Sequence, residues 1–171
     1  MQLFEEHLDA SNVAERLWVG ARPPADRRLE RFTLVVLCAR EYQPTEVAWT
    51  GRVTRARLDD DFGEPPTPTE IQEAVIAARA VATELHGGGQ ALVTCAMGLN
   101  RSALVASMAL LMSQPLLTPA HVVYLMRRQR NPHCLSNPHF QELLDRLWSS
   151  ARAITIPTSR GRRPRLRPGS R

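Results

Sequence analysis

Residues 91–112 read ALVTCAMGLNRSALVASMALLM: a short apolar run, a polar loop and a longer apolar run. The run that begins at Ala91 predicts a buried strand, and the helix formers after Ser102, which are apolar on every side, predict a buried helix. Five residues separate Cys95 from Arg101 in the loop between these elements. The sequence therefore places a thiol, a guanidinium and a hydroxyl at one strand-to-helix junction.

A loop of this composition is suited to binding a tetrahedral oxyanion. The unpaired amides and the positive dipole end of the predicted helix favour an anion at its N-terminus. Gly98 allows backbone conformations closed to other residues, and the planar fork of Arg101 can hold two phosphoryl oxygens. The same field favours the thiolate of Cys95, a nucleophile for phosphoryl transfer. The alternative is that Cys95 is a small buried hydrophobic residue.

The stretch resembles the Cys-x5-Arg-Ser/Thr signature loop of the cysteine-dependent phosphatases, most closely that of the dual-specificity branch. The resemblance implies that Cys95 forms a phosphocysteine intermediate, that Arg101 binds the phosphoryl group and that Ser102 stabilises the thiolate. It also implies that the substrate is bound by the intervening residues Ala96, Met97, Gly98, Leu99 and Asn100. The family usually has His before the cysteine, where this chain has Thr94, so we expect Cys95 to be activated less strongly than is usual.

A general acid is predicted among three aspartates that follow a weaker strand ending at Leu58. The resemblance implies an aspartate on a loop after such a strand, with the task of protonating the leaving oxygen. Strand alternation puts Ala56, Leu58 and Asp60 on one side, which directs Asp60 toward the site if the apolar pair faces inward. We select Asp60, and Asp59 and Asp61 stay open as candidates. The alternative is an acidic turn exposed to solvent.

Strand and helix signals alternate along the rest of the chain. A polar lead-in is expected over residues 1–12, a helix over residues 23–31, and strands over residues 16–20 and 32–38. With a phosphate loop at a strand-to-helix junction, this alternation predicts a single α/β domain whose mostly parallel central sheet is flanked by helices. The resemblance extends over about residues 16–148 and implies the protein tyrosine phosphatase fold.

Two helix starts are marked by capping signals. Thr67 and Glu70 form a predicted capping box, with Pro68 at the first helical position. Asn137 is placed to cap the last helix, with Pro138 behind it. Another helix is expected to open at residue 118. The segment around Asn137 also resembles the end of the family's domains.

Length and charge indicate one domain and a tail. The 171 residues suit one domain of about 150 residues and a tail. The resemblance implies that the domain, over residues 1–150, is a catalytic domain like that of the dual-specificity phosphatases. Residues 151–171 hold 7 of the 22 basic residues and no acidic residue, cannot bury a core, and are predicted to be disordered. This tail could contact nucleic acid weakly, although a solvated tail is the alternative.

The cysteines and the apolar segments indicate a cytoplasmic protein. The three cysteines, at positions 38, 95 and 134, have neither the pairing nor the spacing of a disulfide framework or a zinc site. The first residues resemble no signal peptide, and the longest apolar stretch is too short to span a bilayer. Cys38 lies in a segment that resembles one where family members carry a cysteine able to form a protective disulfide with the nucleophile. The alternative for Cys38 is a buried cysteine at a strand end.

The resemblance implies a phosphatase that acts on phosphoproteins, with phosphotyrosine as the leading substrate and phosphoserine or phosphothreonine beside it. The loop between Cys95 and Arg101 carries no basic side chain, which disfavours a highly charged inositol phosphate. We expect no cofactor and no metal, because the five histidines lack metal-ligand spacing. A monomer without a membrane partner is expected.

Alternatives stay open on the sequence alone. Residues 98–101 also resemble the loop of RNA 5′-triphosphatases of the same superfamily, which tend to lack the acid that Asp60 would supply. A catalytically weak module that binds phospho groups is a second alternative, because Thr94 replaces the usual His. A rhodanese-like sulfurtransferase also uses a cysteine in an anion-binding loop, but it would not account for Asp60.

Overall fold

The computed structural model describes residues 8–23, 29–45 and 51–155. Within these ranges the chain forms five strands and four helices. In chain order they are β1 (Ala10–Ala14), β2 (Leu17–Gly20), β3 (Leu34–Ala39), β4 (Arg52–Leu58), α1 (Pro68–His86), β5 (Ala91–Thr94), α2 (Arg101–Ser113), α3 (Pro119–Gln129) and α4 (Pro138–Thr155).

The strands form one sheet in the order β1-β2-β5-β3-β4. β2, β5, β3 and β4 run parallel to one another, and β1 pairs antiparallel with β2. Every residue of β3 and β5 is buried, as expected for continuous apolar strands in the middle of a parallel sheet. The predicted α/β class with a mostly parallel sheet is confirmed.

Side-chain alternation along β3 divides the core into two clusters. Leu34 and Val36 lie in the larger cluster, to which all four helices contribute, whereas Val35 and Leu37 lie in a smaller cluster on the opposite face. Phe32 completes the smaller cluster and contacts Trp18 edge to face. α2 lies in the larger cluster and is buried from its first residue through Leu110, as its apolar composition predicts.

The structure corrects the expectation for the N-terminal lead-in. β1 begins at Ala10, within residues 1–12 that were expected to form a polar lead-in, and Val13 is its only buried residue. A strand that is held mainly by backbone pairing with β2 leaves no apolar alternation in the sequence. Asn12 supports the hairpin through its amide, which donates to the carbonyl oxygens of Ala14 and Leu17.

Two further expectations fall partly outside the described residues. The helix expected over residues 23–31 lies mostly in residues 24–28, which are not described, and residues 30–31 form a turn. α4 continues to Thr155 and so crosses the domain boundary expected at residue 150. The rest of the expected tail, residues 156–171, lies outside the described ranges.

Both capping signals are present in the structure. The Thr67 hydroxyl accepts the Glu70 N–H at 3.3 Å, and the Glu70 carboxylate accepts the Thr67 N–H at 2.9 Å, which completes the predicted box. The Asn137 side chain accepts the His139 N–H at 3.0 Å and so caps α4. These caps hold the two loops that lead into α1 and α4.

Candidate active site

Cys95 lies where β5 ends and the loop to α2 begins. Its side chain is buried, with 4% of the residue surface exposed. Its Sγ lies 3.2 Å from the Ser102 Oγ and accepts the Gly98 N–H at 3.2 Å. Because Ser102 is in the first turn of α2, the sulfur lies at the N-terminus of that helix, where a negative charge is favoured.

The carbonyl groups of the loop accept hydrogen bonds from residues outside it. Outside contacts are made by the carbonyl oxygens of four successive residues, Ala96, Met97, Gly98 and Leu99. The Arg22 N–H and the Leu135 N–H bind the first and last oxygens at 3.3 and 3.0 Å, and the Arg130 guanidinium binds the middle two at 3.3 Å each. In a trans peptide the next N–H points opposite to the carbonyl. The amides of residues 97–100 therefore face the inside of the loop.

Gly98 is required by both its backbone angle and its surroundings. Its φ is +69°, a conformation that L side chains rarely adopt. A Cβ at this position would lie 2.6 Å from the Gly20 carbonyl carbon and 2.7 Å from the Ala21 backbone nitrogen. The loop can close on β2 only because residue 98 has no side chain.

Arg101 is held by Glu41 in a way that the sequence did not predict. Its Nη1 donates to the Glu41 Oε2 at 2.5 Å and to the Leu58 carbonyl oxygen at 3.1 Å, and its Nη2 donates to the Glu41 Oε1 at 2.7 Å. The open end of the guanidinium fork, expected to hold phosphoryl oxygens, is therefore occupied by a carboxylate. The buried Nε has no hydrogen-bond partner among the described residues.

The geometry of the guanidinium group shows which donors stay available. Five N–H groups radiate from it in one plane, and the Nε–H lies beside one Nη2–H on the same edge. Glu41 and Leu58 account for both Nη1 protons and one Nη2 proton of Arg101. The remaining edge carries two parallel donors, the arrangement that suits two oxygens of a phosphate.

Pairing of Arg101 with Glu41 favours the ionised form of both side chains. Hydrogen bonds from Arg101 lower the pKa of Glu41 below its usual 4.5. Burial by itself would lower the pKa of Arg101, but the bonds to Glu41 and the neighbouring Cys95 raise it overall. Glu41 follows β3 at the edge where parallel strands end, and that position is the one signal that could have identified it.

Asp60 is the aspartate of the three that contacts the nucleophile loop. Its Oδ2 accepts from the Asn100 Nδ2 at 3.0 Å, and its Oδ1 accepts from the Asn137 Nδ2 at 3.0 Å. Asn100 immediately precedes Arg101, so the first contact joins the carboxylate to the loop itself. The structure thus brings Asp60 together with the loop that holds Cys95.

The neighbouring aspartates are engaged elsewhere. Asp59 forms an ion pair of 2.9 Å with Arg40, and Asp61 accepts the Gly63 N–H at 2.7 Å in a local turn. Both side chains are exposed. Their contacts leave Asp60 as the strongest candidate for the acid.

The side chains of the predicted substrate-binding residues point to different places. Ala96 and Met97 are exposed, with Met97 at 68%. Leu99 packs against the larger core cluster, and the Asn100 side chain bonds Asp60 and Ser136 and is buried. A substrate would meet the loop backbone and the side chains of Ala96 and Met97.

Glu70 anchors the start of the segment that carries Asp60. One carboxylate oxygen accepts the Asp59 N–H at 2.8 Å and pairs with Arg40 at 3.1 Å, and the other accepts from Thr67. Burial would raise the pKa of Glu70, but hydrogen bonds from Thr67 and Asp59 and the charge of Arg40 lower it overall. The ionised carboxylate therefore holds the acid segment to α1.

Replacing Glu70 by glutamine should lower the free energy of unfolding at neutral pH by about 1–3 kcal/mol, because a buried donor then loses its acceptor. A carboxyl group with a lowered folded-state pKa stabilises the fold above its ordinary pKa and loses that contribution as the pH falls. The difference from the wild type should therefore shrink below pH 4.5. Urea unfolding on both sides of that pH measures it, with the exposed Glu142→Gln as the control. A difference that does not change with pH would contradict the prediction.

Cys38 and Cys134 are buried free thiols. Burial raises the pKa of Cys134 to about 11. Burial and the nearby Cys95 raise the pKa of Cys38 well above its usual value. The register pairs Leu37 with Thr94, and Cys38 and Cys95 follow these two residues in the chain. Both cysteines belong to the larger core cluster, so the two thiols suggested for a disulfide lie on the same side of the sheet.

If the redox hypothesis for Cys38 holds, protein treated with peroxide should contain a Cys38–Cys95 disulfide. Peroxide would oxidise the Cys95 thiolate to a sulfenic acid, and the Cys38 sulfur would displace water from it. The raised pKa of Cys38 should make this second step slow at neutral pH. Peptide mass spectrometry detects the crosslink, and Cys38→Ala serves as the control. If oxidised wild-type protein contained no Cys38–Cys95 crosslink, the hypothesis would be refuted.

The described residues contain neither a helix that could span a membrane nor a cluster of metal ligands. None of the helices in the described ranges combines the length and the apolar character needed to cross a bilayer. The same ranges contain no cluster of three or more His, Cys, Asp or Glu residues arranged to hold a metal ion. The hydrogen-bonding groups of this site are the Cys95 thiol, a hydroxyl, a guanidinium group, carboxylates and a backbone amide.

The chain has the fold of the cysteine-dependent phosphatases, and its structural matches include dual-specificity phosphatases and protein tyrosine phosphatases. Human DUSP28 is 23% identical, with a TM-score of 0.69 over 84% of this chain and 95% of its own. A mouse structure in complex with zinc tungstate, provisionally assigned as a dual specificity phosphatase, is 22% identical, with a TM-score of 0.73 over 91% and 96%. PTPMT1 in complex with PI(5)P is 16% identical, with a TM-score of 0.71 over 86% and 99%.

At these identities the structural matches show the fold and do not show the activity. The sequence matches no protein-family model. No curated protein matches it either.

Proposed function

We propose that the protein is a phosphatase that hydrolyses phosphomonoesters on proteins through a phosphocysteine intermediate. One observation carries this proposal: the buried Nε–H of Arg101, which has no partner in the described part of the chain, belongs to the loop in which the Gly98 N–H donates to the Cys95 sulfur. A buried polar group without a partner is costly unless a ligand satisfies it. A phosphoryl group would satisfy this donor and the loop amides together.

In the first step the Cys95 thiolate attacks phosphorus. The S–P bond forms while the bond from phosphorus to the leaving oxygen breaks. The loop amides and the free edge of Arg101 bind the remaining phosphoryl oxygens. Because these donors are already oriented, they stabilise the negative charge of the oxygens in the transition state. The Asp60 carboxyl group gives its proton to the leaving oxygen, so that the product leaves as an alcohol or a phenol.

In the second step water hydrolyses the phosphocysteine. The Asp60 carboxylate takes a proton from the attacking water, and the S–P bond breaks to release phosphate. The Ser102 hydroxyl, 3.2 Å from the Cys95 sulfur, hydrogen-bonds the departing thiolate. Arg101, still held by Glu41, keeps the phosphoryl group in place throughout.

Thr94 directs its hydroxyl to the neighbouring strand β3. Its hydroxyl donates to the Val36 carbonyl oxygen at 2.9 Å, and only 1% of the residue is exposed. Stabilisation of the thiolate therefore comes from Ser102 and the Gly98 N–H. Because these two groups can stabilise the nucleophile, they favour an active enzyme over a module that only binds phospho groups.

The charges near the site favour a phosphoprotein over a polyanion. Asp61 and Glu64 are exposed on the segment that carries Asp60, and Phe62 between them is 54% exposed. The loop itself has no basic side chain. An inositol phosphate or an RNA 5′-triphosphate would bring several negative charges toward this acidic segment. We therefore propose phosphotyrosine as the leading substrate, with phosphoserine or phosphothreonine beside it.

Replacing Asp60 by asparagine tests the acid and the substrate class together. We expect kcat/KM for a phosphotyrosine peptide to fall by about 10²- to 10⁴-fold, because the phenolate must then leave without a proton. A nitrophenyl phosphate, whose leaving group is a weaker base, should lose less. Steady-state phosphate release measures both rates.

The neighbours of Asp60 provide matched controls. Asp59→Asn and Asp61→Asn should change these rates little, and a larger loss in either would move the acid to that residue. Wild-type protein should cleave the phosphotyrosine peptide faster than 5′-triphosphorylated RNA. The reverse order would support the RNA phosphatase alternative, and the absence of hydrolysis of any phosphate ester would support a binding module.

A further inference from the structure

Asn137 contacts Asp60 from outside the nucleophile loop. It is fully buried, and its Nδ2 donates to the Asp60 Oδ1 at 3.0 Å and to the Asp61 carbonyl oxygen at 2.9 Å. Its Oδ1 accepts the His139 N–H and so caps α4. One amide thus joins the acid segment to the start of a helix 77 residues away in the chain.

The segment that contains Asn137 also supports the nucleophile loop. Within residues 130–137, Arg130 binds two loop carbonyl oxygens and the Leu135 N–H binds a third. The Ser136 N–H donates to the Asn100 Oδ1 at 2.9 Å, and Asn100 in turn donates to Asp60. We call residues 130–137 the backing segment. Both the loop of Cys95 and the acid segment are attached to it.

We propose that Asn137 is a positioning residue for proton transfer: its amide, with that of Asn100, fixes the Asp60 carboxyl group in the place from which it reaches the leaving oxygen. This inference rests on the proposed phosphatase function. Proton transfer in the transition state depends on the donor lying within hydrogen-bond reach of the leaving oxygen, and a small displacement weakens it strongly. Asn137 therefore sets how well the protein cleaves esters with poor leaving groups.

The amide of Asn137 can be removed without removing the helix cap. Serine is a good N-cap residue whose hydroxyl accepts the same backbone N–H, but its side chain is too short to reach Asp60. Asn137→Ser therefore separates the two roles of this residue. Asn12→Ser makes the same substitution at an exposed residue whose amide donates to the Ala14 and Leu17 carbonyl oxygens of the β1–β2 hairpin, so it serves as the matched control.

The test is the dependence of kcat/KM on the leaving group, measured with a series of aryl phosphates of increasing phenol pKa. This ratio includes only the steps up to the loss of the first product, so it isolates the step in which Asp60 is the acid. In Asn137→Ser we expect the ester with the poorest leaving group to lose about 10- to 100-fold, within the range of general acid catalysis. The ester with the best leaving group should change by less than about threefold.

A double variant distinguishes positioning from a structural role. In the Asp60→Asn background, adding Asn137→Ser should not steepen the leaving-group dependence further, because the group that it positions is already absent. Equal losses for all esters, an additive effect in the double variant, or no change in Asn137→Ser would each overturn the inference. Wild-type turnover of the aryl phosphates, lost in Cys95→Ser, separates such a result from a failure of the proposed function.

Discussion

Serine in place of Cys95 is expected to abolish turnover while phosphate binding is retained. A serine hydroxyl at this position has no neighbouring base among its described contacts, which are the Ser102 hydroxyl and the Gly98 N–H. Without an ionised nucleophile, no covalent intermediate forms, and loss of a nucleophile costs roughly 10⁴-fold or more. The loop amides and Arg101 are unchanged and should still bind the anion.

Two measurements check this prediction. Hydrolysis of an aryl phosphate by the variant should fall to background, and titration calorimetry should show inorganic phosphate bound at least as tightly as by the wild type, because the repelling thiolate is gone. Cys38→Ala, which removes a buried thiol from the neighbouring strand, is the control and should keep turnover. Residual hydrolysis in Cys95→Ser near the wild-type rate would exclude the proposed mechanism.

Arg101→Lys is expected to lower kcat by about 10²- to 10³-fold, comparable to the removal of an oxyanion donor in other enzymes. Lysine carries a point charge on a flexible chain. It cannot bond both oxygens of Glu41 and still present two parallel donors to a phosphate, as the Nε and Nη2 of Arg101 do. The charge is preserved, so the loss would report the geometry of the guanidinium group.

The control for Arg101→Lys is Arg128→Lys on the exposed side of α3, which should leave the rate unchanged. The thermal unfolding of both variants should also be measured, because Arg101 is buried and bonds the Leu58 carbonyl oxygen as well as Glu41. A folded Arg101→Lys protein with turnover close to that of the wild type would show that the free edge of Arg101 does not bind the transferred group.

The arrangement of the nucleophile loop could be predicted from the sequence because its geometry is local. Cys95, Gly98, Arg101 and Ser102 lie within eight consecutive positions between a strand and a helix, and the backbone of that connection brings them together. The capping boxes and the apolar strands are local signals of the same kind. For this reason the α/β fold and the helix starts at Thr67 and Asn137 followed from the residues themselves.

Asp60 illustrates the limit of such local arguments. Strand alternation directed it toward the site but left its two neighbours open. The choice is supported by contacts with Asn100 and Asn137, which are 40 and 77 residues away along the chain. No periodicity in the sequence reports which side chain will meet an aspartate across that distance.

The chemical groups of this site, and the strand and helix that carry the nucleophile, are encoded in short stretches whose conformation depends on near neighbours. Their partners depend on packing: Glu41 reaches Arg101 across 60 residues because β3 lies beside β5, and Arg130 reaches the loop because α3 folds back against it. Hydrogen bonds between distant segments form only after strand order and helix packing are established. The orientation of Arg101 and the hydrogen bonds that hold Asp60 are therefore properties of the folded chain.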